Sequence, residues 1–254
     1  MNVAATTGDT EQVRDPQTDS SDSSAGPPGR GRVALAVSVF GELLITAGLV
    51  LGLFVVYSLW WTNVVADRHA DRQADKVRDE WAQQDTGPGA LDTKDGIGFL
   101  HVPALRNGEV LVEKGTSTDV LNEGVAGYYT DPVKAVLPTS GKKGNFTLAA
   151  HRDGHGAKFH NIDKLKKGDP IVFETRDDWY VYKVYAILPE TSKYNVEVLG
   201  RIPEESGKKK PGHYITLTTC TPVYTSRYRY VVWGELERVQ KVDAKRTPPK
   251  ELNG

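Results

Sequence analysis

The only cysteine of the chain, Cys220, lies in a stretch whose residue pattern predicts a strand, a turn and a second strand. Residues 214–219 alternate and are rich in β-branched types, which is typical of a half-buried strand, and Pro222 predicts where it stops. A thiol at a strand end is held by rigid backbone and stays open to substrate, as a nucleophile requires. Arg227 and Arg229 share a face of the second strand, so both are predicted to point toward the thiol or both away. A single cysteine is more often a small buried apolar residue, so the chemistry depends on its partners.

His151 is the candidate proton carrier for this thiol. The strand predicted over residues 146–150 ends directly before it, which gives the imidazole the same strand-end placement as Cys220. The free pKa of histidine lies near physiological pH, so the side chain can give or take a proton. His155 and His160 follow closely and could form a metal site with His151. No clear further ligand set follows them, so we predict neither a metal nor a cofactor.

Seven segments of strand composition, separated by Gly, Pro, Asn and Asp, must position these side chains. They are residues 97–102, 110–113, 146–150, 171–175, 179–188, 214–219 and 228–236. Short helices are predicted at residues 118–122, with Thr118 as the cap, and at 159–166. Short strands with few helices predict a closed or nearly closed β-barrel of about 140 residues. The connection over residues 189–212 is typical of a binding loop, and residues 238–254 predict a loose polar tail.

The start of the chain predicts a disordered tail followed by a membrane anchor. Residues 1–32 are rich in Ser, Thr, Asp, Gly and Pro and offer little to bury, so we expect disorder. Residues 33–61 are strongly apolar and predict a transmembrane helix, because their last nineteen residues carry no charge. Glu42 costs about 2.5 to 3.5 kcal/mol on insertion, which the many apolar residues outweigh at about 0.3 to 0.6 kcal/mol each.

Flanking residues predict the orientation of this helix. Arg30 and Arg32 mark the near end as cytoplasmic, while Tyr57, Trp60 and Trp61 form an aromatic belt at the far end. We therefore expect a single-pass protein of the cell membrane whose remaining chain is extracellular.

A cleavable signal peptide is the alternative to a retained anchor. Val64 and Ala66 offer a weak cleavage pattern, but an apolar core of about 7 to 15 residues would be expected there.

Residues 62–95 predict a helical spacer and linker between the anchor and the barrel. Apolar residues recur there at spacings of three and four, which indicates a helix with one narrow apolar stripe. We favour a solvated continuation of the membrane helix, with docking on the barrel through the last stripe residue as the alternative. The stripe consists of Ala66, Ala70, Ala74, Val77 and Trp81.

Composition excludes some classes of function. The 254 residues carry a formal net charge of −1, which gives no support for binding nucleic acid through bulk electrostatics. One cysteine cannot form an intramolecular disulfide, so in an exported domain the thiol is free and reactive or paired with another chain.

Two motifs resemble those of a known family. The pairing of LAAHR (148–152) with TLTTC (216–220), followed by an arginine nine residues after the cysteine, closely resembles the sortases, membrane-anchored cysteine transpeptidases of Gram-positive bacteria. The resemblance covers about residues 96–237. The stretch GVAGYYTDPVKAVLPTSGKKGNF (124–146) resembles the class E, housekeeping-type sortases of actinobacteria. The resemblance implies a sortase-like eight-stranded β-barrel.

The resemblance also assigns catalytic roles. It implies that Cys220 is the nucleophile, His151 the general acid and base, and Arg229 the residue that stabilises the oxyanion. Strand parity does not separate Arg229 from Arg227, and the family's spacing favours Arg229. One departure is Ala150, where relatives often have Gly before the histidine.

Two further residues are implied to bind substrate. Thr219 precedes the nucleophile and matches a polar position that contacts substrate in relatives. Tyr128 lies near a tyrosine that is associated with the choice of LAXTG-type signals, and the adjacent Tyr129 could serve equally.

The implied activity is cleavage of a C-terminal sorting signal of the LAXTG or LPXTG type between Thr and Gly, through a thioacyl-enzyme. The secreted protein is then joined to an amine of the lipid-linked peptidoglycan precursor. The expected partners are therefore secreted proteins with sorting signals, this precursor and the cytoplasmic membrane, and not nucleic acid. A membrane-anchored cysteine protease and a non-catalytic wall-associated barrel with an inert Cys220 are the alternatives.

Overall fold

The computed structural model of the protein describes residues 31–83 and 96–253. Apart from residues 31 and 32, the predicted tail lies outside the described residues, as does the predicted linker over residues 84–95. The chain divides into two compact units, Met1–Val50 and Leu51–Gly254.

The second unit contains a closed barrel of eight strands in the order β1-β2-β3-β4-β7-β8-β6-β5. The pairs β2/β3 and β4/β7 are parallel and the other neighbours are antiparallel. The predicted mainly β fold is therefore confirmed. The strands are β1 Gly98–His101, β2 Glu109–Lys114, β3 Ala126–Tyr128, β4 Gly144–Ala149, β5 Pro170–Glu174, β6 Asp178–Ser192, β7 His213–Thr221 and β8 Tyr228–Lys241.

Alternation along the strands separates a closed interior from an outer face. Phe146 of β4, Leu217 of β7 and Val232 of β8 are fully buried in the main core, as period-two alternation requires for residues that point inward. Their strand neighbours point outward. On β7 the outward set contains Thr216, Thr218 and Cys220, so the thiol lies on the outer surface of the barrel wall.

Several element boundaries differ from the sequence prediction. The three-residue strand β3 carries no alternation long enough to predict. Strand β6 continues to Ser192, so the long connection is residues 193–212. The short helix α2, Thr118–Leu121, is capped by Ser117 and not by Thr118, since the Ser117 hydroxyl accepts from Val120 N at 3.5 Å. Of the helix predicted at residues 159–166, only the 3₁₀ turn Ile162–Lys164 forms.

One long helix, α1 at Arg32–Gln83, precedes the barrel. It is, by length and composition, the one helix within the described residues that could cross a membrane. Its large apolar side chains from Val33 to Trp61 are exposed. These features match the predicted anchor.

The predicted solvated spacer is instead docked on the barrel. Ala66, Ala70 and Val77 are buried, and the ring of Trp81 meets the ring of Phe99 edge-on at 5.3 Å. The apolar stripe therefore covers an apolar patch on the outside of β1 and β2, and the alternative of docking holds.

A buried carboxylate, that of Glu174, connects the end of the docked helix, strand β1 and the C-terminal residues. Glu174 of β5 is 1% exposed and contacts Arg78 Nη1 at 2.6 Å, Arg246 Nη2 at 2.5 Å and His101 Nε2 at 2.9 Å. Burial alone would raise the pKa of Glu174, but these hydrogen bonds and charges outweigh it and lower the pKa to about 2. The carboxylate therefore remains ionised at neutral pH.

The C-terminal residues are also attached to the barrel, contrary to the predicted loose tail. Strand β8 continues to Lys241, and Leu252 packs with Val242 against Trp179 of β6. Arg238 Nη2 lies 2.6 Å from Glu251 Oε2. Polar composition did not indicate disorder here, because these charges have partners on the barrel.

Replacing Glu174 with Gln is expected to lower the free energy of unfolding by about 3 kcal/mol at pH 7, because cations packed around a buried carboxylate lose their counter-charge. A depressed carboxyl pKa stabilises the fold above the unfolded pKa near 4.5 and loses that contribution as pH falls toward about 2. The difference between wild type and E174Q should therefore shrink over that window in thermal unfolding of the full chain in detergent.

The matched control is Glu237→Gln, which removes an exposed ion pair with Lys183 on the same sheet. This change should lower the free energy of unfolding by less than about 1 kcal/mol, both at pH 7 and at acidic pH. Equal destabilisation by both substitutions would contradict the role given to Glu174.

Candidate active site

Cys220 and Arg229 are direct cross-strand neighbours. Strands β7 and β8 pair antiparallel with Cys220 opposite Arg229. Side chains directly opposite in an antiparallel pair point to the same face, with Cβ atoms about 4.5 to 5.5 Å apart. Tyr230, the next residue, points into the main core, so Arg229 points outward with the thiol.

His151 reaches the same edge from the other side of β7. Strands β4 and β7 pair in parallel with Ala149 beside Thr218, and Ala150 N donates to Thr218 O at 3.3 Å. Continuing this register by two residue pairs places His151 beside Cys220. Ala150 belongs to the main core, so alternation turns the side chain of His151 to the outer face.

A groove with a volume of about 400 Å³ runs along this face. Cys220, Arg229, Thr218 and Ala150 are among its lining residues, and His151 directly follows the last of them. One wall is formed by residues 193–196, 198 and 199 of the long connection. The site is thus an open channel able to hold an extended peptide over the thiol.

The groove wall is fixed to the barrel by hydrogen bonds. Trp233 Nε1 donates to Val198 O at 3.0 Å, and Asn145 Nδ2 donates to Gly200 O at 3.0 Å. The Asn145 side chain is itself held by Thr216, whose hydroxyl donates to Oδ1 at 2.8 Å. The groove is therefore largely pre-formed at this end of the connection.

The imidazole of His151 is held by an amide. His151 Nε2 lies 2.9 Å from Asn122 Oδ1, and its ring centroid lies 5.5 Å from that of His155. Burial lowers the pKa of His151, the nearby His155 lowers it further, and Asp153 opposes both effects. The imidazole thus gives up its proton more readily than a free histidine.

The comparison with known proteins decides the family. The sortase domain matches residues 100–237. Over 240 residues the chain is 78% identical to sortase SrtE2 of Streptomyces coelicolor, which covers 90% of this chain and 95% of that protein. This chain belongs to the sortase family. The family comprises cysteine transpeptidases that act on secreted proteins with sorting signals.

Solved structures place this sortase in class E. The crystal structure of sortase E1 from Streptomyces coelicolor with a tripeptide in its active site is 46% identical, with a TM-score of 0.58, and covers 62% of this chain and 96% of that one. The structure of sortase E from Streptomyces avermitilis is 33% identical, with a TM-score of 0.54, and covers 64% of this chain and 99% of that one.

The structure separates the two arginines of the sortase that strand parity left open. Arg227 precedes β8 and is exposed, whereas Arg229 lines the groove. Arg229 Nη1 donates to Tyr228 O at 3.0 Å and to Ser226 O at 3.2 Å. A guanidinium has five N–H donors, so these bonds orient the group and leave donors for a substrate.

The two predicted substrate-binding residues differ in placement. Thr219 lines the groove but is only 3% exposed, and its hydroxyl donates to Ala150 O at 2.7 Å. Tyr128 belongs to the main core of the barrel. Tyr129 lines the groove, with its hydroxyl 3.0 Å from Thr218 Oγ1. The geometry therefore favours Tyr129 over Tyr128 for contact with substrate.

Arg152 is a buried residue that sequence reasoning missed. Its Nη1 donates to Thr221 Oγ1 at 2.8 Å and to Cys220 O at 3.5 Å, and its Nη2 lies 3.1 Å from Asp163 Oδ1. The guanidinium thereby fixes the end of β7 to the residue after His151. The sequence feature that could have identified Arg152 is its position as a charged residue directly after the end of a predicted strand.

The three histidines considered as metal ligands do not converge. His160 Nδ1 lies 2.8 Å from Arg152 O, away from the pair of His151 and His155. Within residues 31–83 and 96–253, the group of His, Cys, Asp or Glu side chains close enough for a metal is instead His101, Glu109 and Glu174. Arg78 and Arg246 already neutralise Glu174 there.

Proposed function

We propose that this sortase is a membrane-anchored transpeptidase that cleaves LAXTG-type or LPXTG-type sorting signals between Thr and Gly and joins the product to a wall-precursor amine. Cys220 is the nucleophile, His151 the general acid and base, and Arg229 the donor to the oxyanion. The observation that carries this proposal is the pairing of Cys220 with Arg229 on the outer face of the barrel, beside the strand end that delivers His151.

In the first half-reaction the Cys220 thiolate attacks the carbonyl carbon of the signal's Thr. Arg229 donates to the oxygen as it becomes negative, and its permanent charge needs no proton transfer to act. When the tetrahedral intermediate collapses, the Thr–Gly bond breaks and the amine of Gly takes a proton from the His151 imidazolium. A thioester and a neutral imidazole remain.

The second half-reaction reverses these roles. An incoming amine attacks the thioester carbon while His151 takes its proton, and the thiolate of Cys220 leaves. A new amide is formed and the imidazolium is regenerated. Two acyl transfers of modest difficulty thus replace one direct exchange of amides.

Tyr129 is proposed to contribute to reading the signal. Burial raises the pKa of Tyr129, while Thr218 and Arg229 counteract this in part, so its hydroxyl stays protonated near neutral pH. Because the Thr218 hydroxyl donates to Leu148 O, the Tyr129 hydroxyl donates to Thr218, and its oxygen can accept from a backbone N–H of an extended peptide. Thr219 is proposed to contribute by fixing the backbone that leads to His151, because its hydroxyl donates to the carbonyl oxygen of Ala150.

The anchor is proposed to be residues 33–61, followed by the docked helix and the catalytic barrel over residues 96–237. An outward-facing barrel joined to the membrane by a helix would meet secreted proteins as they emerge and the amine of a lipid-linked precursor at the same surface. The exposed apolar surface of α1 supports this location.

The direct test supplies the full chain in detergent with LAXTG and LPXTG peptides and a small amine. Mass spectrometry should detect a new amide between the peptide's Thr and the added amine. Acid product alone, with no amide at any amine concentration, would favour a cysteine protease. No turnover of either peptide would favour a binding barrel.

Replacing His155 with Asn is expected to shift the alkaline limb of the pH profile of kcat/KM to higher pH. Loss of the neighbouring imidazole removes one cause that lowers the pKa of His151, so the imidazolium persists to higher pH. Asn tolerates the left-handed backbone at this position, where φ is 46°.

Asp153→Asn is the matched control, because Asp153 raises the pKa of His151. Its alkaline limb should move to lower pH. Shifts of both variants in one direction would contradict the assignment of this limb to His151.

A further inference from the structure

The loop that carries His151 has a conformation that needs support from outside. It covers residues 151–159 and is closed by Phe159 N, which donates to His151 O at 3.0 Å. Four successive residues have positive φ, namely Gly154 at 64°, His155 at 46°, Gly156 at 77° and Ala157 at 40°. For the two residues other than glycine this backbone conformation is strained, and such conformations persist when surrounding contacts fix them.

Those contacts come from the first turns of α1 beyond its apolar stretch. Asn63 Oδ1 accepts from Gly156 N at 2.9 Å, while its Nδ2 donates to Leu59 O at 2.8 Å and so stays in place. One turn further on, Asp67 Oδ1 lies 2.8 Å from Lys158 Nζ. The Lys158 side chain is 13% exposed and the Asp67 side chain 48%, so this ion pair is shielded from solvent on the lysine side only.

The same part of α1 also contacts the segment that holds the imidazole. Asn122, which contacts His151 Nε2, lies two residues before Gly124. A Cβ added at Gly124 would lie 2.9 Å from Ala66 O, and one added at Gly156 would lie 2.8 Å from Asp67 Oδ1 and 3.4 Å from Gly124 Cα. Gly124 is thus required by the helix backbone that lies against it, and the φ of 77° favours glycine at position 156.

We propose that residues 63–67 of α1 are positioning residues for His151, which they act on through the 151–159 loop and through the segment from Asn122 to Gly124. The juxtamembrane helix is therefore part of the support of the active site as well as a tether. This inference rests on the proposed role of His151 as general acid and base.

The chemical consequence concerns which nitrogen exchanges the proton. The oxygen of the Asn122 amide accepts and does not donate, so it holds a proton on His151 Nε2. Nδ1 is then the nitrogen that can give and take a proton over the thioester. Displacing either supporting loop would turn the ring and misplace this atom, and a displacement of about 1 Å costs up to about 10²-fold in rate.

The test exchanges the charges of the Asp67–Lys158 pair in the full chain in detergent. Asp67→Lys and Lys158→Asp are each expected to lower kcat about tenfold, with KM for the sorting peptide within about twofold, because the groove walls are untouched. The combined swap should restore kcat to within about threefold of wild type, since the pair can form again with opposite polarity. Asp75→Lys, an equal charge reversal at an exposed position of the same helix, should leave kcat unchanged.

A second measurement separates this inference from the proposed function. Amide hydrogen exchange over residues 151–159 should be about tenfold faster in D67K than in wild type or D75K, whether or not the preparation turns over peptide. Unchanged exchange and kcat in D67K, or a swap as inactive as the single variants, would overturn the positioning role. Faster exchange in D67K, together with an H151A variant as active as wild type, would instead overturn the general acid and base role of His151.

Discussion

Replacing Arg229 with Ala is expected to lower kcat/KM for transpeptidation by about 10²- to 10³-fold, the usual effect of removing one well-placed oxyanion donor. The guanidinium lies directly across the strand pair from Cys220, and two backbone carbonyls orient it. A donor fixed before the reaction needs no reorganisation when the charge develops. Steady-state kinetics with a sorting peptide and an amine would measure the loss.

Arg227→Ala is the matched control, since it removes the same side chain two residues away, at an exposed position before β8. Its kcat/KM should stay within about twofold of wild type. Arg229→Lys keeps the charge but loses the planar fork of donors, so it should recover only part of the loss. If R227A were the slower variant, the oxyanion role would belong to Arg227.

How much of the site is predictable depends on whether its geometry is periodic. The strand ends at Cys220 and His151 follow from runs of alternating residues, so period two and a closing residue suffice to predict them. To decide between Arg227 and Arg229, one must know at which residue β8 begins and how β8 is paired with β7. Sequence spacing does not contain that register.

Other parts of the support depend on contacts between distant segments. Asn122 precedes His151 by 29 positions and carries no pattern that predicts contact with it. The sequence does not predict the docking of α1, because a narrow stripe of mostly alanine suits a solvated helix as well as one lying on a flat apolar patch. The roles of Gly124 and Gly156 are visible only in the structure, where the backbone of Ala66 lies against Gly124 and the Asp67 side chain against Gly156.

Replacing Cys220 with Ala is expected to reduce transpeptidation by at least about 10⁴-fold, because the nucleophile acts as a unit with its base and its loss removes the covalent route. The full-length wild type incubated with a sorting peptide should gain the mass of the peptide's N-terminal fragment, and C220A should gain none. The partly exposed thiol of the wild type should also react with an alkylating reagent.

Binding separates chemistry from folding in this variant. The thiol is a small part of a groove whose wall is held by Trp233 and Asn145, so C220A should bind the peptide with a Kd within about threefold of wild type and should keep its Tm. Bound peptide without a thioester identifies the sulfur as the reacting atom, because recognition survives its loss. Full activity in C220A would leave His151 and Arg229 beside a residue that does no chemistry, and the acyl-transfer mechanism would fail.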